Sequence, residues 1–255
     1  MIIKNRPVGA GKPLLCVPVT EQSTSGIIET VNHLTLQHVD AIEWRVDYYQ
    51  KSGDPQLVKS ILQEIRRLLG STILIFTYRT SAEGGLGNAD DAYYETLLRT
   101  AADTGVPDLI DLEFAVSHRL PMLMASLHAC GVRVIASYHN FDFTPTASQM
   151  TKQFRSMFSA GADIAKIAVM PQDFSDVCNL LKASEAASDP QKPVIAISMG
   201  QTGAVSRLVG EVCGSCLTFV TEGAASAPGQ MSYRKVSRAL DDIHACITEG
   251  SRNNA

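Results

Sequence analysis

The 255-residue chain lacks the long apolar run that a membrane-spanning helix would need. Such a helix takes about 20 consecutive apolar residues, and no stretch of this sequence approaches that length. Residues Met1 to Lys12 include three basic side chains, but no hydrophobic segment follows them, so they do not resemble a signal peptide. We therefore expect a cytoplasmic protein with no membrane partner.

The chain also lacks an excess of positive charge. It carries 22 Lys and Arg against 26 Asp and Glu, which gives a net charge of -4. Proteins that bind nucleic acid usually present a basic patch or stripe, and no run of basic residues is found here. The sequence therefore predicts no nucleic-acid partner.

Features of metal and nucleotide sites are scarce as well. Six cysteines are scattered without the spacing of a disulfide framework, and Cys213 and Cys216 form a single CxxC with no second ligand pair. The glycines that follow Glu83 do not match a phosphate-binding fingerprint. We expect buried thiols, and a tight backbone turn at Gly84 and Gly85.

What the chain does contain is a regular alternation of short apolar runs and longer amphipathic segments. This alternation is typical of βαβ units with a parallel sheet. Eight strands in one domain of residues 1–255 favour a closed (β/α)8 barrel, the TIM barrel, over a doubly wound open sheet. The predicted strands are Leu14–Val19, Ala41–Val46, Thr72–Tyr78, Leu109–Phe114, Val132–Tyr138, Ile164–Val169, Val194–Ser198 and Leu217–Val220. The clearest helical patterns are Pro55–Leu69, Ala89–Thr104, Ala147–Ser159, Phe174–Ala187 and Tyr233–Thr248.

Three segments lie outside this alternation. Residues 1–12 are predicted to be a short N-terminal extension, and the polar residues 251–255 are predicted to be frayed. The segment Thr221–Gln230, rich in Ala, Gly, Ser and Pro, follows the eighth predicted strand. In a barrel this is a loop on the active face, and its small residues predict a mobile lid.

Polar side chains recur at the ends of the predicted strands, where barrels place their active sites. Side chains alternate between faces along a strand. Glu43 and Arg45 therefore share one face of the second strand, with Trp44 on the other face, packed against helices. Thr77 and Arg79 likewise share one face of the third strand.

Lys166 lies in an otherwise apolar strand, Ile164–Val169. A lysine in a strand is usually a rim residue that reaches solvent, and a lone His139 is more often structural. However, burial favours a neutral amine, which is the form that attacks a carbonyl to give a Schiff base. Because these residues fall at the same end of successive strands, we favour an active site.

Acidic residues on the fourth predicted strand receive a different interpretation. Asp108, Asp111 and Glu113 could suggest acid–base chemistry. Nothing in the sequence pairs them with a partner, so we interpret them as structural.

The chain resembles the type I 3-dehydroquinate dehydratases over about Leu14 to Ala245. The matching segments occur in order and are Glu43-Trp44-Arg45-Val46-Asp47, Thr77-Tyr78-Arg79-Thr80, Tyr138-His139-Asn140-Phe141, Ala162 to Pro171, Ser198-Met199-Gly200, Ser206-Arg207 and Ser226-Ala227-Pro228-Gly229-Gln230. The resemblance implies a (β/α)8 homodimer in the shikimate pathway that needs no metal or cofactor. It also implies syn elimination of water from 3-dehydroquinate to give 3-dehydroshikimate.

The same resemblance implies roles for individual residues. Lys166 matches the Schiff-base lysine, His139 matches the histidine that moves protons, and Glu83 matches the acid that orients this histidine. Arg207 matches the arginine that holds the substrate carboxylate. The other matches contact the substrate or form a wall of its pocket, and they are Glu43, Arg45, Arg79, Met199, Ser226 and Gln230.

Two alternative functions compete with this interpretation. A class I aldolase would also use a lysine on the sixth strand, but aldolases of phosphorylated sugars tend to bind phosphate after strands seven and eight. Here that region supplies Arg207, Ser226 and Gln230, which suit a carboxylate and hydroxyls better. A barrel that only binds a polyhydroxy acid would be expected to lack Lys166 or His139.

Overall fold

Eight parallel strands form a barrel, which confirms the predicted fold. The computed structural model describes residues 1–114, 120–223 and 226–253. Strands bond to their neighbours in the order β10-β3-β4-β5-β6-β7-β8-β9, and the Cys216 N–H closes the ring by donating to the Val194 carbonyl at 2.8 Å. The barrel strands are β3 Leu14–Val19, β4 Ala41–Arg45, β5 Ile73–Thr77, β6 Leu109–Glu113, β7 Arg133–Asn140, β8 Ile164–Val169, β9 Val194–Ser198 and β10 Leu217–Phe219.

Helices surround the barrel and connect its strands. They are α1 Thr24–Leu36, α2 Pro55–Leu68, α3 Asp91–Asp103, α4 Leu120–Ala129, α5 Ala147–Ser159, α6 Phe174–Ala187, α7 Gly210–Cys213 and α8 Tyr233–Asn253. Helix α8 continues into the segment that the sequence analysis expected to be frayed, because the chain is helical to Asn253. Residues 254 and 255 lie outside the described residues.

The first residues form a hairpin that belongs to the barrel rather than an extension beside it. Strands β1 Ile2–Ile3 and β2 Arg6–Pro7 pair in antiparallel fashion. Lys4 and Asn5 between them have φ values of 45° and 65°, as a type I′ hairpin turn requires. Ile3 is buried with the apolar side chains inside the barrel. The hairpin therefore covers the N-terminal ends of the strands, opposite the predicted active face.

Alternating side chains divide each barrel strand between two environments. On β4, Trp44 points outward into the helix-facing core and meets the ring of Phe76 edge-on at 5.7 Å between centroids, as the sequence predicts. Inward positions near the strand N-termini are apolar, for example Ile73 and Ile135. The charged inward side chains, such as Glu43, Arg45 and Glu113, lie toward the C-terminal ends, beside apolar ones such as Ile197 and Phe219. The polar part of the interior therefore lies at one end of the barrel.

Across the described ranges, every helix is too short or too polar to cross a membrane.

Candidate active site

A cavity of about 220 Å³ opens at the C-terminal ends of the barrel strands. All ten residues that the sequence analysis selected line this cavity, namely Glu43, Arg45, Arg79, Glu83, His139, Lys166, Met199, Arg207, Ser226 and Gln230. The other lining residues were not predicted as site residues, and they are Gly84, Phe141, Ala168, Ile197, Phe219, Ala227 and Pro228. These are glycine or apolar side chains, which carry no chemical signal of their own in a sequence.

Lys166 lies at the centre of β8 and is only 4% exposed. Its Nζ lies 3.0 Å from Asp111 Oδ2 and 3.8 Å from Glu43 Oε1. The same nitrogen lies 4.6 Å from the centroid of the Phe219 ring, on the ring face. The amine is therefore buried as expected, but carboxylates face it, so its surroundings are not the purely apolar ones that the strand sequence suggested.

Asp111 and Glu113 on β6 have charged partners that the sequence did not reveal. Arg79 donates to Asp111 Oδ1 at 2.7 Å and to Glu113 Oε1 at 3.0 Å. Arg79 also donates to Glu83 Oε2 at 3.2 Å and to Ser137 Oγ at 3.0 Å. One buried guanidinium thus fixes three carboxylates on neighbouring strands and loops.

These neighbouring charges shift the pKa values of Arg79 and Asp111. Burial lowers the pKa of Arg79, but the negative charges of Asp111, Glu113 and Glu83 outweigh it, so the net shift is upward. Burial also raises the pKa of Asp111, but Arg79 and Lys166 overcome this effect and bring it to about 2. Asp111 is therefore a permanent carboxylate at working pH.

His139 and Glu83 form a pair at the edge of this cluster. His139 Nδ1 lies 2.8 Å from Glu83 Oε2, which leaves Nε2 as the ring nitrogen available to the cavity. Burial, and then the cations Arg79, Lys166 and Arg45, bring the pKa of His139 well below its ordinary value. The imidazole is therefore neutral at physiological pH and able to accept a proton.

The pKa of Glu83 is raised to about 8. Burial is the largest cause, and the carboxylates of Glu113 and Asp111 add to it while Arg79 opposes it. The second carboxylate oxygen, Oε1, is buried without a hydrogen-bond partner within the described residues. The carboxylate form of Glu83 is thus held in an environment that does not favour it, as is common at functional sites.

A tight glycine turn fixes the position of Glu83. Gly84 has a φ of +78°, a left-handed conformation that glycine adopts without strain. A Cβ on Gly84 would lie 2.3 Å from the Phe141 ring, and one on Gly85 would lie 2.1 Å from the Arg79 carbonyl oxygen. The turn expected from the sequence is therefore required, both for backbone conformation and for close packing.

The pair Glu43 and Arg45 projects inward from β4, as the alternation predicts. Arg45 does not bond to Glu43, because its Nε and Nη2 both donate to Asp47 at 2.8 Å. Glu43 Oε1 instead accepts from Thr77 Oγ1 at 2.9 Å. Each charged group that borders the cavity on this side is therefore held in place by a neighbour.

Arg207 differs from the other cations around the cavity. It is 2% exposed, and it donates to the backbone carbonyls of Gly229, Phe219 and Pro228 at 3.0, 3.3 and 3.1 Å. Within the described residues it pairs with no carboxylate. Burial lowers the pKa of Arg207 to about 10, so the group remains charged and attracts an anion.

The segment predicted to be a lid, Thr221–Gln230, lies over this arginine. Residues 224 and 225 are outside the described residues. Gly200 N–H donates to the Pro228 carbonyl at 3.3 Å, and Ser226 N–H donates to Gln230 Oε1 at 2.9 Å. The described part of the loop is therefore bonded across the cavity mouth, and its mobility stays a prediction.

No cysteine is among the described residues that line the cavity. Cys213 and Cys216 are free and buried as expected, but Cys130 and Cys246 are exposed, so the expectation of buried thiols is wrong for these two. In the part of the chain that the structure describes, no cluster of three or more His, Cys, Asp or Glu side chains has an arrangement that could hold a metal ion.

Comparisons with known proteins match the chain to one enzyme family over most of its length. The family model of type I 3-dehydroquinase matches residues 15–246. A 3-dehydroquinate dehydratase of Lactiplantibacillus plantarum is 40% identical over 94% of this chain and 96% of its own length. One of Clostridioides difficile is 37% identical over 96% of this chain and 97% of its own length.

Solved structures agree with these matches. The type I 3-dehydroquinate dehydratase of Clostridium difficile, crystallised with covalent modified comenic acid, superposes with a TM-score of 0.92 at 36% identity, over 96% of this chain and 98% of that one. The 3-dehydroquinate dehydratase of Enterococcus faecalis gives 0.88 at 31% identity, over 95% and 98%. By its sequence, its fold and the extent of these matches, the chain belongs to the type I 3-dehydroquinase family.

Proposed function

We propose that this chain is a 3-dehydroquinate dehydratase that eliminates water from 3-dehydroquinate through a Schiff base on Lys166. The observation that carries the proposal is the combination of groups around one cavity. A buried amine, a neutral imidazole and an arginine that has no carboxylate partner among the described residues all border it. These are the groups needed to bind a keto acid, to activate its ketone and to move a proton.

Lys166 supplies the covalent step. Its amine attacks the ketone carbon, and the resulting carbinolamine loses water to give an iminium. The positive nitrogen withdraws electrons from the neighbouring carbon, so the C–H bond there becomes acidic. No metal is needed for this step, because the iminium is itself the electron sink.

His139 carries out both proton transfers, the one that forms the enamine and the one that lets water leave from it. The neutral ring removes a proton from the carbon next to the iminium, and Glu83 Oε2, 2.8 Å from Nδ1, accepts a hydrogen bond from the imidazolium that forms. Hydroxide is a poor leaving group, so the imidazolium then returns its proton to the departing hydroxyl, which leaves as water. Ser137 pairs with Lys166 on the adjacent strand. His139 is two residues further along its strand, so it points inward like Ser137 and lies closer to the cavity mouth than the lysine.

Arg207 orients the substrate through its carboxylate. A buried guanidinium offers planar, charge-assisted donors that match a carboxylate. The polar groups that share the cavity are proposed to contact the substrate hydroxyls and carboxylate, with Met199 as an apolar wall. They are Glu43, Arg45, Arg79, Ser226 and Gln230.

The relatives support this assignment. The curated relatives at 37–40% identity are named 3-dehydroquinate dehydratase, and the Clostridium difficile structure contains covalent modified comenic acid. The same resemblance carries the other expectations into the proposal, which are a homodimer, a cytoplasmic location and a place in the shikimate pathway. The oligomeric state is testable by light scattering of the purified protein.

Turnover of 3-dehydroquinate tests the function itself. The elimination conjugates a new double bond to the ketone, so product formation is followed by its ultraviolet absorbance. We expect turnover by the native protein, none by Lys166→Met, and turnover reduced by several orders of magnitude in His139→Ala. A folded native protein that does not turn over 3-dehydroquinate would refute the proposal.

A further inference from the structure

In the described parts of the chain, the carboxylate closest to the nitrogen of Lys166 is one that does not line the cavity. Asp111 Oδ2 lies 3.0 Å from Nζ, and Asp111 is 1% exposed. Glu43 is more distant at 3.8 Å, and its near oxygen already accepts a hydrogen bond from Thr77. Asp111 is therefore the closest counter-ion of the amine among the described residues.

Asp111 is held rigidly for this contact. Its other oxygen, Oδ1, accepts from Arg79 Nη2 at 2.7 Å and from Ser137 Oγ at 2.6 Å. Ser137 in turn accepts from Arg79 Nη1 at 3.0 Å. One oxygen anchors the carboxylate to two neighbouring strands, so the other has a fixed position and direction relative to the Lys166 nitrogen.

The charge balance of imine formation shows what such a counter-ion does. A paired lysine enters as an ammonium, R–NH3+, and reacts with a ketone to give an iminium, R–NH+=C, and one water molecule. The carbonyl oxygen leaves with two hydrogens from nitrogen, and the nitrogen retains one hydrogen and its charge. The buried site carries the same positive charge before and after, so a fixed negative charge beside the nitrogen suits both states.

We propose that Asp111 is a positioning residue that acts as the fixed counter-ion of the Lys166 nitrogen, in the ammonium and then in the iminium. This inference rests on the Schiff-base function proposed above. Its pKa of about 2 makes Asp111 a poor proton acceptor, so it holds charge rather than moving protons. The proton transfers belong to His139.

The same network accounts for the next step. When His139 removes the carbon-bound proton, the iminium becomes a neutral enamine and the positive charge moves to the imidazolium. That charge leaves the neighbourhood of Asp111 and arrives beside Glu83. Arg79 donates to Asp111 Oδ1 at 2.7 Å and to Glu83 Oε2 at 3.2 Å, so both acceptors are held in place while the charge moves between them.

The test compares adduct formation as a function of pH in three proteins. All carry His139→Ala, which stops the reaction at the imine, and two carry in addition Asp111→Asn or Glu113→Gln. Glu113 is the matched control, because it is a buried β6 carboxylate whose side chain accepts from Arg79 at 3.0 Å and from Thr80, and not from Lys166. Each protein is incubated with 3-dehydroquinate and cyanoborohydride, and the trapped adduct is measured by intact mass.

A fixed negative charge beside the nitrogen favours its charged forms, and an iminium that forms from an ammonium takes up no proton from solvent, so adduct yield in the His139→Ala protein should vary little between about pH 6 and about pH 8.5. Asparagine removes that negative charge, and an iminium that forms from a neutral amine takes up one proton from solvent. Adduct yield in the Asp111→Asn protein should therefore fall as pH rises, by up to about tenfold per unit, the limit for one linked proton. The protein with Glu113→Gln should give the same pH dependence of adduct yield as the protein that carries His139→Ala alone.

The outcomes separate the two proposals. An adduct in all three proteins with parallel pH profiles would overturn the role of Asp111 and leave the Schiff base intact. The absence of an adduct in the His139→Ala protein would overturn the Schiff base and this inference with it. If Asp111→Asn does not fold by circular dichroism, Ser137→Ala replaces it. That change keeps the charge and removes the 2.6 Å bond, so adduct formation should slow several-fold with an unchanged pH profile, and an unchanged rate would overturn the role.

Discussion

Replacing Glu83 by glutamine should stabilise the protein increasingly as pH rises while it lowers activity. Glu83 is a buried carboxylate with one oxygen, Oε1, that has no partner in the described structure. Burial raises its pKa from 4.5 to about 8. Between these two values the folded state holds a proton that the unfolded state has released. The contribution of Glu83 to folding therefore becomes less favourable as pH rises through this window.

The size of the effect follows from the two pKa values. One pKa unit corresponds to about 1.4 kcal/mol. Proton linkage then predicts that Glu83 lowers the free energy of unfolding by about 2.5 kcal/mol more at about pH 7 than at about pH 5, and that this loss levels off above about pH 8. Glutamine does not titrate, so Glu83→Gln lacks this term. A constant penalty of about 1–3 kcal/mol for a poorly placed amide group would shift the whole difference without changing its slope.

Urea unfolding at several pH values measures this difference directly. The free energy of unfolding of Glu83→Gln minus that of the native protein should increase with pH by an amount of that order. Glu64→Gln on helix α2, whose side chain is 56% exposed, serves as the control and should give a flat difference. A Glu83→Gln difference that is flat, or that decreases with pH, would refute the environment described for Glu83.

Two other substitutions test the substrate side of the cavity. Arg207→Ala should raise KM for 3-dehydroquinate by about 10- to 150-fold, which corresponds to the loss of a charge-assisted hydrogen bond worth about 1.5–3 kcal/mol, and steady-state kinetics would show it. A lower kcat with unchanged KM would contradict its role as the carboxylate partner. Gly84→Ala should reduce both stability and kcat, because its Cβ would lie 2.3 Å from Phe141 beside Glu83. Gly70→Ala is its control, since Gly70 also has a positive φ but nothing within 4 Å of its Cβ. Both should lose about 1–2 kcal/mol from backbone strain, and equal kcat values in the two would argue against the steric effect.

The barrel could be predicted from sequence because its signal is local and repeated. Three strands, Leu14–Val19, Ile164–Val169 and Val194–Ser198, and two helices, Ala147–Ser159 and Phe174–Ala187, have the bounds that the apolar pattern gives. Helix α1, Thr24–Leu36, was not among the predicted helices. It is rich in β-branched residues, which have lower helix propensity, and it is stabilised by packing of Ile27, Val31 and Leu34.

The N-terminal hairpin was missed for a similar reason. Its strands contain two residues each, too few for any periodic pattern. What holds it in place is distant in sequence. Lys4 donates to the Thr72 carbonyl at 2.7 Å and pairs with Asp108 at 3.0 Å, and no local rule predicts such contacts.

The cavity residues could be predicted because strand alternation and strand ends are visible in the sequence. The ion pairs between these residues could not be predicted. Asp111 and Lys166 are 55 positions apart, and Asp111 and Arg79 are 32 positions apart. Which carboxylate faces which cation depends on the register between neighbouring strands, and the sequence does not contain that register in local form. This is why Asp111 and Glu113 were interpreted as structural.

The central claim is a covalent bond between the substrate and Lys166, and peptide mapping after borohydride reduction tests it most directly. Native protein is reduced in the presence of 3-dehydroquinate and digested, and the peptide that contains Lys166 is examined by mass spectrometry. We predict a mass increase, equal to that of a reduced imine, on Lys166 and on no other lysine, and none in Lys166→Met. An active native protein whose Lys166 peptide stays unmodified would contradict the account.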